Sequence, residues 1–329
     1  MTLNFLKEKT RRQDNTNGKG TANADHTQWE QQQTIAQTVN CTGVGVHSGS
    51  PVTLTLKSAP VDSGITFVRT DLAPKGVAIK ASWENVVDTK LCTKLGNSEG
   101  VTIGTVEHLM AALRGCGIDN VVAEINGPEV PIMDGSSSPF IFLIECAGTL
   151  RQTFPRRVIE VLKEISVENS TGKATLSPCD HFALTFDFAT PGRSVNIKQT
   201  FQFGGTKDCF KKSLSRARTF GFYEDVEYLR SAGLAQGGSL DNAVVIKDGI
   251  VMNEKGLRYD DEMVRHKALD AIGDLYLAGT PLLGHFHGEC SGHDTNYRLL
   301  KELFSDDSNW RYVKVAEESA NQHKKIAAF

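Results

Sequence analysis

The sequence lacks the cysteine pairs that would staple a small fold or hold a metal through thiols alone. Its seven cysteines, Cys41, Cys92, Cys116, Cys146, Cys179, Cys209 and Cys290, are odd in number and form no C-x-x-C pair. That argues against a disulfide framework and a cysteine-only zinc site, and for reduced thiols in a cytoplasmic protein. Long apolar runs are missing too, so no transmembrane segment is expected. The N-terminus has no apolar signal-peptide core, and Glu8 and Asp14 argue against an acid-poor transit peptide. Positive charge is not in excess: the formal net charge is -3, which offers nucleic acid no basic field. H-E-x-x-H, Walker and G-x-S-x-G motifs are absent. Gly43-Val-Gly45 is too short to argue for dinucleotide binding.

What is present is globular. The chain has 329 residues, 40% hydrophobic and 23% charged, enough for two cores. Residues 1–31 are polar with few apolar anchors and read as a disordered tail. Alternation then predicts strands over Pro51–Lys57, Gly64–Arg69 and Asn120–Asn126. A helix is predicted over Val106–Arg114, closed by Gly115. Further strands are predicted over Val158–Leu162, Ile165–Glu168 and Phe182–Phe188. Helices are predicted over Asp225–Ala232 and Asp261–Ala278, the latter stopped by Gly279 and Pro281. Each half has strands plus helices, so the class is α+β. The expected division is a first domain over 32–153, a second over 156–315, a linker near Thr149–Arg157 and a C-terminal tail over 316–329.

Three segments carry candidate chemistry. On the helix at 263–279, Val264, Ala268, Ala271 and Leu275 share one side, and His266, Asp270 and Asp274 the other, at i, i+4 and i+8. An imidazole and a carboxylate one turn apart can bind one metal ion; the plain alternative is a solvated polar face. In the first-half helix, Glu107 and His108 lie off the apolar stripe of Val106, Leu109, Met110 and Leu113. The helix dipole there favours a neutral, ligand-competent imidazole; the alternative is an exposed first turn capped by Thr105. The third is Gly284-His-Phe-His-Gly-Glu-Cys-Ser-Gly-His293, with three of the chain's nine histidines. His285 and His287 on a strand would share one face and could bind metal as a pair. His293 reads as a loop residue within reach of a substrate.

In order along the chain stand Thr42-Gly-Val-Gly-Val-His-Ser-Gly49, Leu91-Cys-Thr93, Thr105-Val-Glu-His-Leu109 and Pro131-Ile-Met-Asp-Gly135. Ser215-Arg-Ala-Arg-Thr-Phe-Gly-Phe222, Arg265-His-Lys-Ala-Leu-Asp-Ala-Ile-Gly-Asp274 and Ser291-Gly-His293 follow. Over residues 33–315 this series resembles the UDP-3-O-acyl-N-acetylglucosamine deacetylase family. The resemblance implies two β-α-α-β sandwich domains with their helix layers facing, and an active site at their interface. It implies a monomeric zinc hydrolase of lipid A biosynthesis, with His108, His266 and Asp270 as ligands. Glu107 would be the general base and His293 the general acid. Asp274 would orient His293, and Lys267 and Thr219 would meet the oxyanion.

For the substrate, the resemblance places Leu91, Cys92 and Thr93 at the site. Asp187 and Phe188 would meet the uracil and Lys173 the diphosphate. Phe220, Val226, Leu229, Ala243 and Val245 would line an acyl passage. The chain departs from the family pattern at Cys290, where relatives often carry a basic residue, and at Asp294 and Thr295. A His/His/Asp set accepts iron as well as zinc. Two rival readings are a zinc amidase on another sugar nucleotide and a silent paralogue that only binds one.

Overall fold

The computed structural model describes residues 31–314 except 73, 75, 194, 195, 205 and 206. The expected tails therefore lie outside the described residues, apart from Gln31. The first half contains β1 (Gln31–Ile35), β2 (Val39–Val44), β3 (Pro51–Ser58), β4 (Ile65–Arg69), β5 (Val77–Lys80), β6 (Val86–Asp88), β7 (Lys94–Gly96), β8 (Thr102–Ile103), α1 (Glu107–Cys116), β9 (Val121–Ile125) and α2 (Ser138–Ala147). Then come β10 (Thr149–Pro155), β11 (Arg157–Val161), β12 (Ile165–Glu168), β13 (Lys173–Ser177), β14 (Phe182–Ala189), β15 (Lys198–Gly204), α3 (Lys207–Ser213), β16 (Phe220–Phe222) and α4 (Tyr223–Ser231). The chain continues through β17 (Val244–Lys247), β18 (Ile250–Val251), α5 (Glu262–Leu275), β19 (Leu282–Glu289), α6 (His293–Leu303) and β20 (Trp310–Lys314). The fold is mixed α+β.

A five-stranded sheet, β2-β3-β9-β4-β5, carries the first half, and a seven-stranded sheet built around β19 carries the second. Alternation explains both: Leu54, Leu56, Phe67 and Ala123 point inward, as do Leu184, Phe186 and Phe286. Between the sheets α1 packs on α5. The length had suggested two cores, yet one continuous apolar cluster runs from Ile35 through α1 and α5 to Leu303. The helices facing each other are apolar enough to merge the two interiors.

Two local expectations change. The first helix runs past Gly115 to Cys116 and is capped by Gly117 in the left-handed region, at φ 70°. Thr105 does not cap it; its hydroxyl donates to Glu129 Oε1 at 2.9 Å. The segment expected as a linker forms β10 and opens β11, with β10 paired to β1. Its Arg156 is buried and bonds Asp119 Oδ2 at 2.6 Å, so charge pairing pins the connection.

Candidate active site

All ten residues of α1 are buried, and so are twelve of the fourteen residues of α5. Glycine makes this closeness possible. A Cβ at Gly273 would stand 2.1 Å from the Glu107 carbonyl oxygen, so only glycine lets the two helix backbones approach here. The polar side of α5 therefore meets Glu107 and His108 instead of water. Asp270 is 4% exposed and His266 2%, which rules out a solvated face. Buried polar groups need partners, since each left alone costs free energy.

His108 Nε2 lies 3.4 Å and His266 Nε2 3.3 Å from Asp270 Oδ1. That oxygen is buried and has no hydrogen-bond partner. A tetrahedral zinc site with bonds of about 2.1 Å has ligand-to-ligand edges of about 3.4 Å, so these separations fit a shared ion. The two rings stand edge to face, with centroids 4.9 Å apart. His266 Nδ1 sits 3.0 Å from the Ala217 carbonyl oxygen, and donation there leaves the Nε2 lone pair free. Burial pushes the His266 pKa down to about 4, with His108 and Lys267 helping against Asp270, so its imidazole is neutral. Burial opposes the Asp270 carboxylate, but His266, Lys267 and His108 outweigh it and hold its pKa well below the usual range. His108, His266 and Asp270 thus form a group able to hold a metal ion.

Beside this group, His293 Nε2 lies 3.8 Å from Glu107 Oε1. Burial raises the Glu107 pKa, while His293 and His108 pull against the rise. His293 Nδ1 lies 2.9 Å from Asp274 Oδ2. Burial disfavours the His293 imidazolium, but Asp274 and Glu107 prevail and its pKa rises to about 9. Asp274 also accepts from Asn296 Nδ2 at 2.9 Å and from the Thr93 hydroxyl at 2.5 Å. The Thr93 backbone N–H donates to Glu107 Oε2 at 3.1 Å, so one residue grips both carboxylates. Sequence reasoning missed Asn296; its signal is its place one helical turn beyond His293 on α6.

The other expected residues are spread around this centre. Lys267 Nζ is 3.2 Å from Asp270 Oδ2. Thr219 is half-buried, and its backbone joins Gly135 and Val244. Leu91 is exposed, whereas Cys92 is buried beside Glu107, its thiol pushed up to about 12 by burial and then by that carboxylate. Phe220 bridges inward, 6.3 Å from the His266 ring and 5.4 Å from Phe188. Successive strand residues face opposite ways, and Asp187 does not join Phe188. Its carboxylate instead accepts from Thr200 Oγ1 at 2.6 Å and meets His287 Nε2 at 2.7 Å. Lys173 lies 3.9 Å from Glu289. Val226, Leu229, Ala243 and Val245 are all half-buried, on α4 and at β17.

Fold and site together define a class: an α+β protein with a buried His-His-Asp group flanked by a carboxylate and a carboxylate-bound histidine. Comparison with known proteins narrows it. Residues 32–305 match the family model of LpxC, UDP-3-O-acyl N-acetylglycosamine deacetylase. A UDP-3-O-acyl-N-acetylglucosamine deacetylase of Marinobacter nauticus is 50% identical over 293 residues, 88% of this chain and 94% of that protein. Proteins of the same name from Tolumonas auensis and Mannheimia succiniciproducens are each 49% identical, over 88% and 87% of this chain and 94% of their own lengths. The chain belongs to the LpxC deacetylase family.

Proposed function

We propose that this chain hydrolyses the N-acetyl group of UDP-3-O-acyl-N-acetylglucosamine, giving acetate and UDP-3-O-acyl-glucosamine in the committed step of lipid A biosynthesis. The observation that carries the reading is the buried His108–His266–Asp270 group with Glu107 and the Asp274-bound His293 facing each other beside it. No helix of the described residues is long and apolar enough to cross a membrane. We place the reaction in the cytoplasm, on a monomer with domains over 32–153 and 156–315, each a β-α-α-β sandwich.

His108, His266 and Asp270 would hold the ion, zinc in preference to iron. When bound, it supplies a Lewis acid that polarises the acetamide carbonyl and acidifies water. Glu107, its basicity raised by burial, takes the proton of the attacking water. The water oxygen bonds to the acetyl carbon, and Thr219 and Lys267 donate to the resulting oxyanion. His293 enters protonated because Asp274 and Glu107 overcome its burial. It gives that proton to the sugar nitrogen as the C–N bond breaks. Phe188 and Asp187 would receive the uracil, Lys173 the diphosphate, and Leu91 and Cys92 the edge of the sugar. Phe220, Val226, Leu229, Ala243 and Val245 would line the acyl chain's path.

The test is acetate release from acylated and non-acylated UDP-N-acetylglucosamine, with metal content measured on the same samples. Each methylene moved from water into an apolar passage contributes about 0.8 kcal/mol, so the acylated substrate should be preferred by orders of magnitude. Equal turnover of the two would remove the acyl specificity and favour an amidase for another sugar nucleotide.

A further inference from the structure

The proposed reaction leaves a second collection of metal-ligating side chains unused. His285, one of the pair singled out in the sequence, lies on β19 with Ser177 of β13 beside it on one edge and Ala183 of β14 on the other. Its neighbours Gly284 and Phe286 are buried in the sheet, whereas His285 is half-exposed. Phe286 belongs to the core cluster that includes α5, so His285 is on the opposite face of the sheet from the catalytic group. The β13–β14 connection passes the start of β19, and the Gly284 backbone N–H donates to the His181 carbonyl there. Cys179, Asp180 and His181 are in this connection, two residues beyond Ser177 and two before Ala183.

Their ligand atoms already converge within 4.8 Å of one another. Cys179 Sγ and His181 Nδ1 are 3.5 Å apart. With a zinc–sulfur bond of about 2.3 Å and a zinc–nitrogen bond of about 2.1 Å, a tetrahedral site needs an edge of about 3.6 Å, close to what is found. Asp180 Oδ1 is 2.7 Å from His181 Nδ1 and 3.9 Å from Cys179 Sγ, so its carboxylate moves by less than a bond length to close the set. Ser177 and Ala183, the register partners that flank His285, are each two residues from this loop, which places His285 beside it. Its Nε2 meets Thr185 Oγ1 at 2.9 Å, leaving Nδ1 for a fourth ligand.

We propose that Cys179, Asp180 and His181, completed by His285, form a second metal site for a borderline divalent transition ion such as zinc, nickel or cobalt. Sulfur and imidazole donors select that class over magnesium or calcium. Binding needs no redox partner: the Cys179 thiol releases its proton to solvent and binds as thiolate, and His181 binds through its deprotonated Nδ1.

Cobalt distinguishes this site from the catalytic one, because His108, His266 and Asp270 offer no sulfur. Reduced full-length protein is titrated with cobalt(II) and followed by absorption, with bound metal counted after gel filtration. The expected result is two equivalents per chain and a thiolate-to-cobalt charge-transfer band that grows with one of them. Cys179→Ser should abolish the band and one equivalent, His181→Ala should weaken both at least tenfold, and deacetylase activity should not change. His108→Ala should keep the band. A band that survives Cys179→Ser, or that disappears only in Cys146→Ser or Cys209→Ser, would overturn the site; so would a wild-type stoichiometry of one with no band. None of these outcomes depends on which sugar nucleotide the enzyme hydrolyses.

Discussion

Among the described residues two groups of side chains containing histidine and carboxylate could hold a metal ion, and the two are held in opposite ways. Between α1 and α5 the side chains are buried, and several are fixed by neighbours they cannot exchange. His266 has the Ala217 carbonyl, and Asp274 has Thr93, Asn296 and His293. Beside the second sheet, Cys179, Asp180 and His181 are consecutive residues of one connection whose side chains bond to one another. Burial turns the first group into a preorganised site with displaced pKa values, because water cannot substitute for a misplaced partner. The second group keeps access to solvent and gains definition only when a ligand gathers it. The first should therefore be brittle to packing changes far from its donor atoms, and the second indifferent to them.

Gly273→Ala breaks that contrast hardest. The new methyl would press on the Glu107 carbonyl, a backbone atom with nowhere to go, and overpacking of this kind costs about 1–3 kcal/mol. The expected outcome is a lowered unfolding temperature together with loss of catalytic metal and activity, because Glu107 and His108 move with α1. Cobalt uptake at the Cys179 loop should persist. Metal analysis and thermal unfolding of one preparation check this; wild-type catalytic metal content in the variant would mean that the helix contact does not set the site.

A smaller effect, read as a pH shift, comes from Asp274→Asn. The asparagine keeps the shape but removes the charge that raises the His293 pKa. Activity should fall at high pH as His293 loses its proton, and the variant's fall should begin at lower pH. Stability of the metal-free protein follows with a definite sign. The folded His293 pKa, about 9, is above its ordinary value of 6.5. Its contribution is therefore fully present below about pH 6.5 and is lost as pH rises through about 9. Asp274→Asn should flatten that decline in denaturant titrations across this window. An unchanged high-pH limb in activity would separate His293 from the acid step.

The sequence made some of this comparison legible and hid the rest, for physical reasons. His266, Asp270 and Asp274 are one turn apart on a single helix, so their common face follows from periodicity alone. The strands over Pro51–Ser58 and Phe182–Ala189 announced themselves through alternation. That α1 is buried on every side was invisible, because its second polar wall, α5, lies more than a hundred residues away. Gly115 looked like a helix stop; within the helix it makes room for Phe210, whose ring would stand 2.3 Å from a Cβ there. Thr149–Arg157, read as a linker, lies in strands, and Arg156 bonds Asp119 across the fold, a pairing no local pattern encodes. The nearness of the Cys179 connection to His285 gave no signal until the sheet order set β13 and β14 on either side of β19.

Thr93 supplies the finest test, because two roles for it predict different kinetics. The family resemblance implies a substrate contact. The geometry gives its hydroxyl to Asp274 and its backbone N–H to Glu107, with the residue 2% exposed. Thr93→Val keeps the shape and the N–H but removes the hydroxyl donor. Asp274 would retain His293 and Asn296, so its carboxylate loses one of three partners. A hydrogen bond to a charged group contributes about 1.5–3 kcal/mol, which sets an expected fall in kcat of roughly tenfold to a hundredfold if the loss is felt in the transition state. KM should stay close to wild type, and Thr93→Ser, which restores the hydroxyl, should recover most of the rate. A raised KM with unchanged kcat would instead make Thr93 a substrate contact, because that pattern marks binding shared equally by ground and transition states. The Asp274–His293 pair would then hold its orientation through Asn296 alone.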